Sequence, residues 1–188
     1  MSTDGAARRV FLSEQQIAER VAELAAEISR DYQGRLREPL LLVSVLKSAV
    51  IFLADLARAI TVDVELDFMA ISSYAGEAPG QDGGGETRGV RFLKDLDHPI
   101  AGRDLLIVED VIDTGLTLHY ITRSLRMREP HSLEICTLLD RPYRRLVDLP
   151  VRYQGFTAPD DFFIGYGFDQ RGRFRNLPYL AFAEEESS

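Results

Sequence analysis

Residues 104–117 read DLLIVEDVIDTGLT, and the passage from an apolar run through paired acids into a small-residue turn decides the fold class. Leu105, Leu106, Ile107 and Val108 are continuous and aliphatic, which suits a strand buried on both faces of a parallel sheet better than a half-exposed one. Such a strand ends at Glu109 and Asp110, and ligands of open α/β sheets bind outside the carboxyl ends of strands. A third acid, Asp113, precedes Thr114, Gly115, Leu116 and Thr117, where a helical pattern of Leu118, Ile121 and Leu125 takes over. Free backbone N–H groups at that helix start, with the hydroxyls of Thr114 and Thr117, make an anion cradle.

Acids beside an anion cradle are compatible when the ligand has two parts. In a sugar phosphate, the phosphate takes the amides of the turn. The vicinal ribose hydroxyls donate to Glu109 and Asp110, directly or through a divalent metal that favours carboxylate oxygen. A plain helix-capping turn needs one Asp or Thr, not three acids within residues 109–113. The acidic strand end of a receiver domain is the sharper rival, but a receiver carries that pair near its start, and here it follows a hundred residues.

The 188 residues suit one domain with a sizeable core, and 45% hydrophobic with 28% charged residues is the composition of an ordinary soluble globule. Residues 1–9 read as a disordered lead-in without an apolar signal region, 10–183 as the single domain, and 184–188 as a solvated acidic tail. No apolar run approaches the ~20 residues of a membrane span. A net charge of −8 argues against a general nucleic-acid binder, which shows a basic stripe. The lone Cys136 lies in an apolar run and reads as a small core hydrophobe, which with the other features suggests a reducing, cytoplasmic setting. The histidines show no metal-ligand spacing.

Ser13 and Gln16 have capping-box spacing, so a first helix starts near Glu14, with Ile17, Val21, Leu24 and Ile28 as its apolar stripe and Gly34 as a stop. Leu40 to Val45 is a second buried strand, followed by the short loop Leu46-Lys47-Ser48 and a helix over roughly 49–59. In residues 62–70, Val62, Val64, Leu66, Phe68 and Ala70 alternate with Asp63, Glu65 and Asp67, which predicts a strand with one wet, acidic face. Ser73 and Tyr74 close it. Residues 75–89 then carry six glycines and a proline, too much backbone freedom to hold one form alone, before a returning strand over 90–93. The helix from Leu116 runs to near Pro130, further strands cover 132–139 and 151–156, and Asp140-Arg141-Pro142 sits at the end of the first of these. Residues 162–169, FFIGYGFD, place four aromatics and an acid in eight positions, a run whose simplest reading is core.

Together, EDVIDTGLT, the Leu-Lys-Ser loop, the Ser-Tyr pair and the FFIGYGFD segment occur in the order of four separated motifs of the phosphoribosyltransferases, and the chain resembles their hypoxanthine-guanine branch from the strand at Leu40 to Phe182. The resemblance implies a type I phosphoribosyltransferase-like α/β fold, a mainly parallel sheet flanked by helices, with a small hood built from the N- and C-terminal segments. It implies a purine-salvage enzyme of the cytoplasm that moves the phosphoribosyl group of phosphoribosyl pyrophosphate to N9 of a 6-oxopurine with Mg²⁺, and commonly a homodimer or homotetramer. A regulator that keeps the fold and binds phosphoribosyl pyrophosphate as a signal is the alternative.

Carried onto this sequence, the resemblance gives Lys47 and Ser48 a pyrophosphate-binding loop with a non-proline cis peptide, and Ser73-Tyr74 the base of a mobile lid. Glu109 and Asp110 take the ribose and metal, residues Thr114 to Thr117 the 5′-phosphate, and Asp113 the role of general base. Arg141 stands where the family usually has a lysine that donates to the purine 6-oxygen, and Ser48 where it usually has glycine. The family segment near the C-terminus supplies an aromatic that stacks on the purine, main-chain groups that read its edge and an Asp near the metal. Phe162, Phe163 and Asp169 fall on those positions, and Arg175 on an arginine that contacts pyrophosphate.

Overall fold

The structure, a computed structural model, describes residues 9–75 and 88–183, and the side chains of 73–75 and 88–90 are not part of that description. Nearly all of the expected lead-in, the acidic tail and most of the glycine-rich stretch therefore lie outside the described residues.

Six strands form the main sheet in the order β4-β3-β2-β5-β6-β7, where β2 is Leu40–Val45, β3 Val64–Ala75, β4 Arg88–Lys94, β5 Asp104–Ile112, β6 Ser132–Asp140 and β7 Tyr153–Thr157. All neighbours are parallel except β3 and β4. The buried aliphatic runs of β2, β5 and β6 need cover on both faces, and helices supply it. On one face α1 (Glu14–Tyr32) and α2 (Val50–Ala59) pack Leu24, Ile28, Phe52 and Leu56 against Leu40, Leu42, Leu106 and Val108. On the other, α3 (Leu116–Arg126) packs Leu118, Ile121 and Leu125 against Leu41, Val43, Leu105 and Ile107. Cys136 is fully buried in the first of these cores, and burial pushes its thiol far up from the ordinary range. The order of strands reverses between β2 and β5, since β3 lies on one side of β2 and β5 on the other, and that is where an open sheet forms a crevice.

A second, three-stranded antiparallel sheet joins the two ends of the chain: β1 (Val10–Leu12) pairs with β9 (Leu180–Phe182), which pairs with β8 (Phe163–Ile164). Phe11 stacks on Phe163 with centroids 4.8 Å apart and meets Phe182 at 5.5 Å. This small sheet is seated on the main one by the turn after β8. Gly167 has φ +97°, and a Cβ there would lie 2.0 Å from the Ser48 carbonyl oxygen, so only glycine lets the turn approach the loop after β2.

The helix at Glu14 has the expected capping box, with the Ser13 hydroxyl accepting from the Gln16 N–H and the Gln16 side chain accepting from the Ser13 N–H. Three expectations need correction. The central strand continues to Ile112, so Glu109 and Asp110 lie within it, because β6 supplies a ladder as far as Asp140. The predicted wet face of β3 holds only in part: Val64 and Phe68 pack against the first core as expected, but Asp67 and Leu66 depart from the pattern. Asp67 is buried and accepts from the N–H groups of Phe68 (2.7 Å) and Asp97 (2.8 Å) and from Lys94 Nζ (3.1 Å), whereas Leu66 is 44% exposed. Period-two alternation marks two faces but not which one is covered. Helix α3 stops at Arg126, and the chain turns through Glu129 at φ 56° before Pro130.

Candidate active site

The crevice at the reversal point is lined by Val45 from β2, by Glu109, Val111 and Ile112 from β5, by Asp113, Thr114 and Gly115, and by Thr117, Leu118 and Ile121 of α3. Strand β2 pairs with β5 only as far as Ser44 and Val108, so the last residues of β5 stand beyond it and open the gap. The loop after β2 bounds that gap and contains a cis peptide between Leu46 and Lys47. Lys47, two residues past the crevice-lining Val45, projects an exposed side chain that makes no hydrogen bond or ion pair among the described residues.

Of the three α-helix starts among the described residues, α1 has a side-chain cap, while α2, which follows the Lys47 loop, and α3 do not. Whereas α1 is capped by its own side chains, α3 begins at Gly115 with φ +77° and has no side-chain cap. Its first N–H groups therefore face the crevice with their hydrogen-bonding capacity and the positive end of the helix dipole unspent. The expected cradle of Thr114, Gly115, Leu116 and Thr117 is thus gathered at one place.

Glu109 and Asp110 point to opposite faces of β5. The Glu109 Oε1 atom is buried with no hydrogen-bond partner. Burial, and after it the neighbouring Asp110 charge, push this carboxyl well above its ordinary value of 4.5, and the N–H of Val45 offsets little. Asp110, 6% exposed, is also raised by burial, against hydrogen bonds from the Ser48 hydroxyl and backbone N–H groups and the charge of Arg175. Ser48 therefore contributes a hydroxyl to Asp110.

A carboxyl raised by burial keeps its proton in the folded chain after the unfolded chain has lost it. Stability then falls as pH rises from the unfolded value near 4.5 toward the raised folded value. Glu109→Gln is accordingly expected to melt higher than the parent at pH 7 in the absence of ligand, by about 2–4 °C for each kcal/mol of burial cost relieved, with the gap closing near pH ~4. Thermal unfolding of both proteins between these pH values is the check, and equal melting at pH 7 would refute it.

Asp169 is engaged otherwise: it pairs with Arg175 and accepts from the N–H of Gly172 at 2.6 Å. Arg175 also donates to the Gly167 carbonyl, so this pair braces the turn that rests on Ser48. Among the described residues no three His, Cys, Asp or Glu side chains gather as a metal site, so Glu109, Asp110 and Asp169, the residues expected near the metal, are not drawn into one cluster by the protein alone. Glu109 Oε1, unpartnered at the crevice, is an oxygen donor of the kind a hard cation takes.

On the hood side, Phe162 is 87% exposed, a free aromatic face, while Phe163 is buried among Phe11, Phe168 and Phe182 and offers only its main chain to a ligand. Arg141, which caps the end of β6, donates to the Asp161 carbonyl, and its guanidinium lies 5.6 Å from the Phe163 ring centroid. One of its terminal nitrogens is 3.9 Å from an Asp113 oxygen and 3.9 Å from an Asp160 oxygen. Ser73 and Tyr74 are placed on β3 by their backbone only.

A family model for the phosphoribosyl transferase domain matches residues 10–171. The chain belongs to the phosphoribosyl transferase family, in its hypoxanthine-guanine branch. It is 47% identical over 171 residues to the hypoxanthine phosphoribosyltransferase of Salmonella typhimurium, covering 91% of this chain and 92% of that one. With the hypoxanthine-guanine phosphoribosyltransferase of Mycobacterium avium it shares 48% identity over 179 residues, 94% of this chain and 85% of the relative. The solved hypoxanthine-guanine phosphoribosyltransferase of Bacillus anthracis superposes with a TM-score of 0.83 at 42% identity, over 94% and 99% of the two chains. The Trypanosoma cruzi enzyme gives 0.82 at 37%, over 94% and 96%.

Sequence reading missed two members of this phosphoribosyltransferase site. Arg144 pairs with Asp113 and Asp160, and Arg145 ties the buried Asp140 (2.6 Å) to the Leu149 carbonyl (2.6 Å) and packs its Cδ near Gly115. Three arginines within residues 141–145, directly after a buried strand, were the available signal.

Proposed function

We propose that this chain converts hypoxanthine or guanine and phosphoribosyl pyrophosphate to IMP or GMP and pyrophosphate, a purine-salvage reaction. The observation that carries this reading is the uncapped start of α3 in one crevice with the unpartnered Glu109 oxygen, because a ribose 5-phosphate satisfies both at once. Near relatives that bear the name of this activity support it.

In the reaction the C1–O bond to pyrophosphate breaks and purine N9 bonds to C1. Positive charge develops on the ribose and negative charge on the departing pyrophosphate, and Lys47 and Arg175 are the cations this reading assigns to stabilise the latter. Glu109 and Asp110 fix the ribose hydroxyls, Thr114 to Thr117 hold the 5′-phosphate, Phe162 stacks on the base, and Asp113 accepts the proton that leaves N7. Magnesium belongs to the proposal: Glu109 and Asp110 would hold it together with substrate oxygens, and when bound it supplies neutralisation of the leaving-group charge.

Self-association is part of the same reading. Leu46, Val50 and Ile51, each 37–40% exposed, lie beside the Lys47 loop and at the start of α2, an apolar rim suited to a second copy in a homodimer or homotetramer. A cytoplasmic setting goes with the lone, buried Cys136 in this reading, and no helix among the described residues is long and apolar enough to cross a membrane.

The test is product formation from phosphoribosyl pyrophosphate and Mg²⁺ with hypoxanthine, guanine, xanthine and adenine in parallel. IMP or GMP with pyrophosphate is expected. No product from any 6-oxopurine would refute the reading.

A further inference from the structure

Asp113 is not an isolated carboxylate. Its Oδ1 atom lies 2.7 Å from Arg144 Nε and 3.9 Å from an Arg141 nitrogen. That same oxygen is buried and takes no aligned hydrogen bond, yet the Asp113 side chain as a whole is 41% exposed. The exposure therefore falls on the part of the side chain that carries the other oxygen, Oδ2, and Asp113 lines the crevice. One oxygen is held from behind by cations while the other is open to the ligand.

Arg144 is itself fixed at both ends. It lies in a 3-10 turn over Pro142–Arg144, which begins where β6 ends, and its backbone N–H donates to the Arg141 carbonyl at 2.9 Å. Its guanidinium, besides meeting Asp113, pairs with Asp160 on the segment leading to β8. The two arginines and two aspartates form a cluster of zero formal charge. Arg144 thus neutralises Asp113 without presenting excess positive charge to an incoming base, and it links the phosphate loop to the hood.

We propose that Arg144 is a positioning residue that holds Asp113 through Oδ1 so that Oδ2 faces the purine. This rests on the assignment of Asp113 as general base. Holding a base in the productive rotamer contributes to the transition state rather than to binding of the sugar phosphate, since a group misplaced by about 1 Å loses much of its rate effect. The planar guanidinium makes the contact directional, and lysine retains the charge while losing the second anchor on Asp160.

The experiment is a double-mutant cycle on the full chain with Arg144→Ala, Arg144→Lys, Asp113→Asn and Asp113→Asn/Arg144→Ala, measuring kcat and both KM values. Arg144 is 37% exposed and outside both cores, so the variants are expected to fold. Arg144→Ala should lower kcat roughly tenfold with the KM for phosphoribosyl pyrophosphate changed by less than about twofold, and Arg144→Lys should recover part of the loss. In the Asp113→Asn background, removing Arg144 should cost less than about twofold further, because a residue acting through Asp113 has nothing left to act on.

Parent-like kcat in Arg144→Ala, while Asp113→Asn is deeply impaired, overturns the proposal. So does a loss that multiplies with that of Asp113→Asn, or one confined to the KM for phosphoribosyl pyrophosphate, since either places Arg144 on the ligand independently of Asp113. Parent-like kcat in Asp113→Asn itself is a separate result, which removes the base assignment and with it the basis of the proposal.

Discussion

Asp113→Asn is expected to lower kcat by roughly 100- to 10,000-fold, the usual worth of a general base, with the KM for phosphoribosyl pyrophosphate within about threefold of the parent. Asparagine keeps the shape of the side chain and can still occupy the space before Arg144 Nε, so the turn into α3 should survive. What it cannot do is accept a proton at neutral pH. In the proposed reading the phosphate takes the amides of α3 and the ribose takes residues of β5, neither of which depends on the Asp113 charge. If phosphoribosyl pyrophosphate binding collapses instead, measured by direct titration without purine, Asp113 belongs to the ligand shell and the base is some other group. A kcat within about threefold of the parent would leave the reaction without need of this carboxylate.

Fold and site were legible to different depths in the sequence, for physical reasons. The buried strands announced themselves because parallel strands covered on both faces have continuous aliphatic runs, as β2 and β5 do. The turn into α3 was readable because Asp113-Thr114-Gly115 leads directly into a helical period, so one local segment contains it whole. Contacts made across the fold were not readable. Glu109 and Asp110 looked like a pair past a strand end, but the length of β6 draws both into the ladder and turns them to opposite faces, and burial raises both carboxyls there. Asp67 looked solvated because its own strand alternates, and the N–H of Asp97, thirty residues on, buries it. Arg144 carried no motif of its own, and its meaning depends on Asp113 and Asp160 arriving from two other segments.

Arg141→Ala is expected to raise the KM for hypoxanthine by roughly tenfold to 100-fold, the worth of about 1.5–3 kcal/mol for a hydrogen bond to a charged group, while the KM for phosphoribosyl pyrophosphate moves less than about threefold. The side chain is only 11% exposed and is held by the Asp161 carbonyl, by Asp160 and by the Phe163 ring, so its donors are restrained rather than solvated. It lies between the base candidate Asp113 and the segment bearing Phe162, where the 6-oxo edge of a purine stacked on Phe162 would be met. Adenine offers an amine at that position and faces donor with donor, so buried groups stay unpaired and adenine is disfavoured. Removing the guanidinium should therefore also narrow the preference for hypoxanthine over adenine. Arg141→Lys is expected to restore the hypoxanthine KM to the parent level or better, because an ammonium reaches one oxygen without the larger planar fork. Steady-state KM values for hypoxanthine, adenine and phosphoribosyl pyrophosphate in the three proteins decide the matter. An unchanged purine KM in Arg141→Ala removes Arg141 from the base pocket and leaves its contacts to Asp160 and Asp161 as a purely structural tie between β6 and the hood.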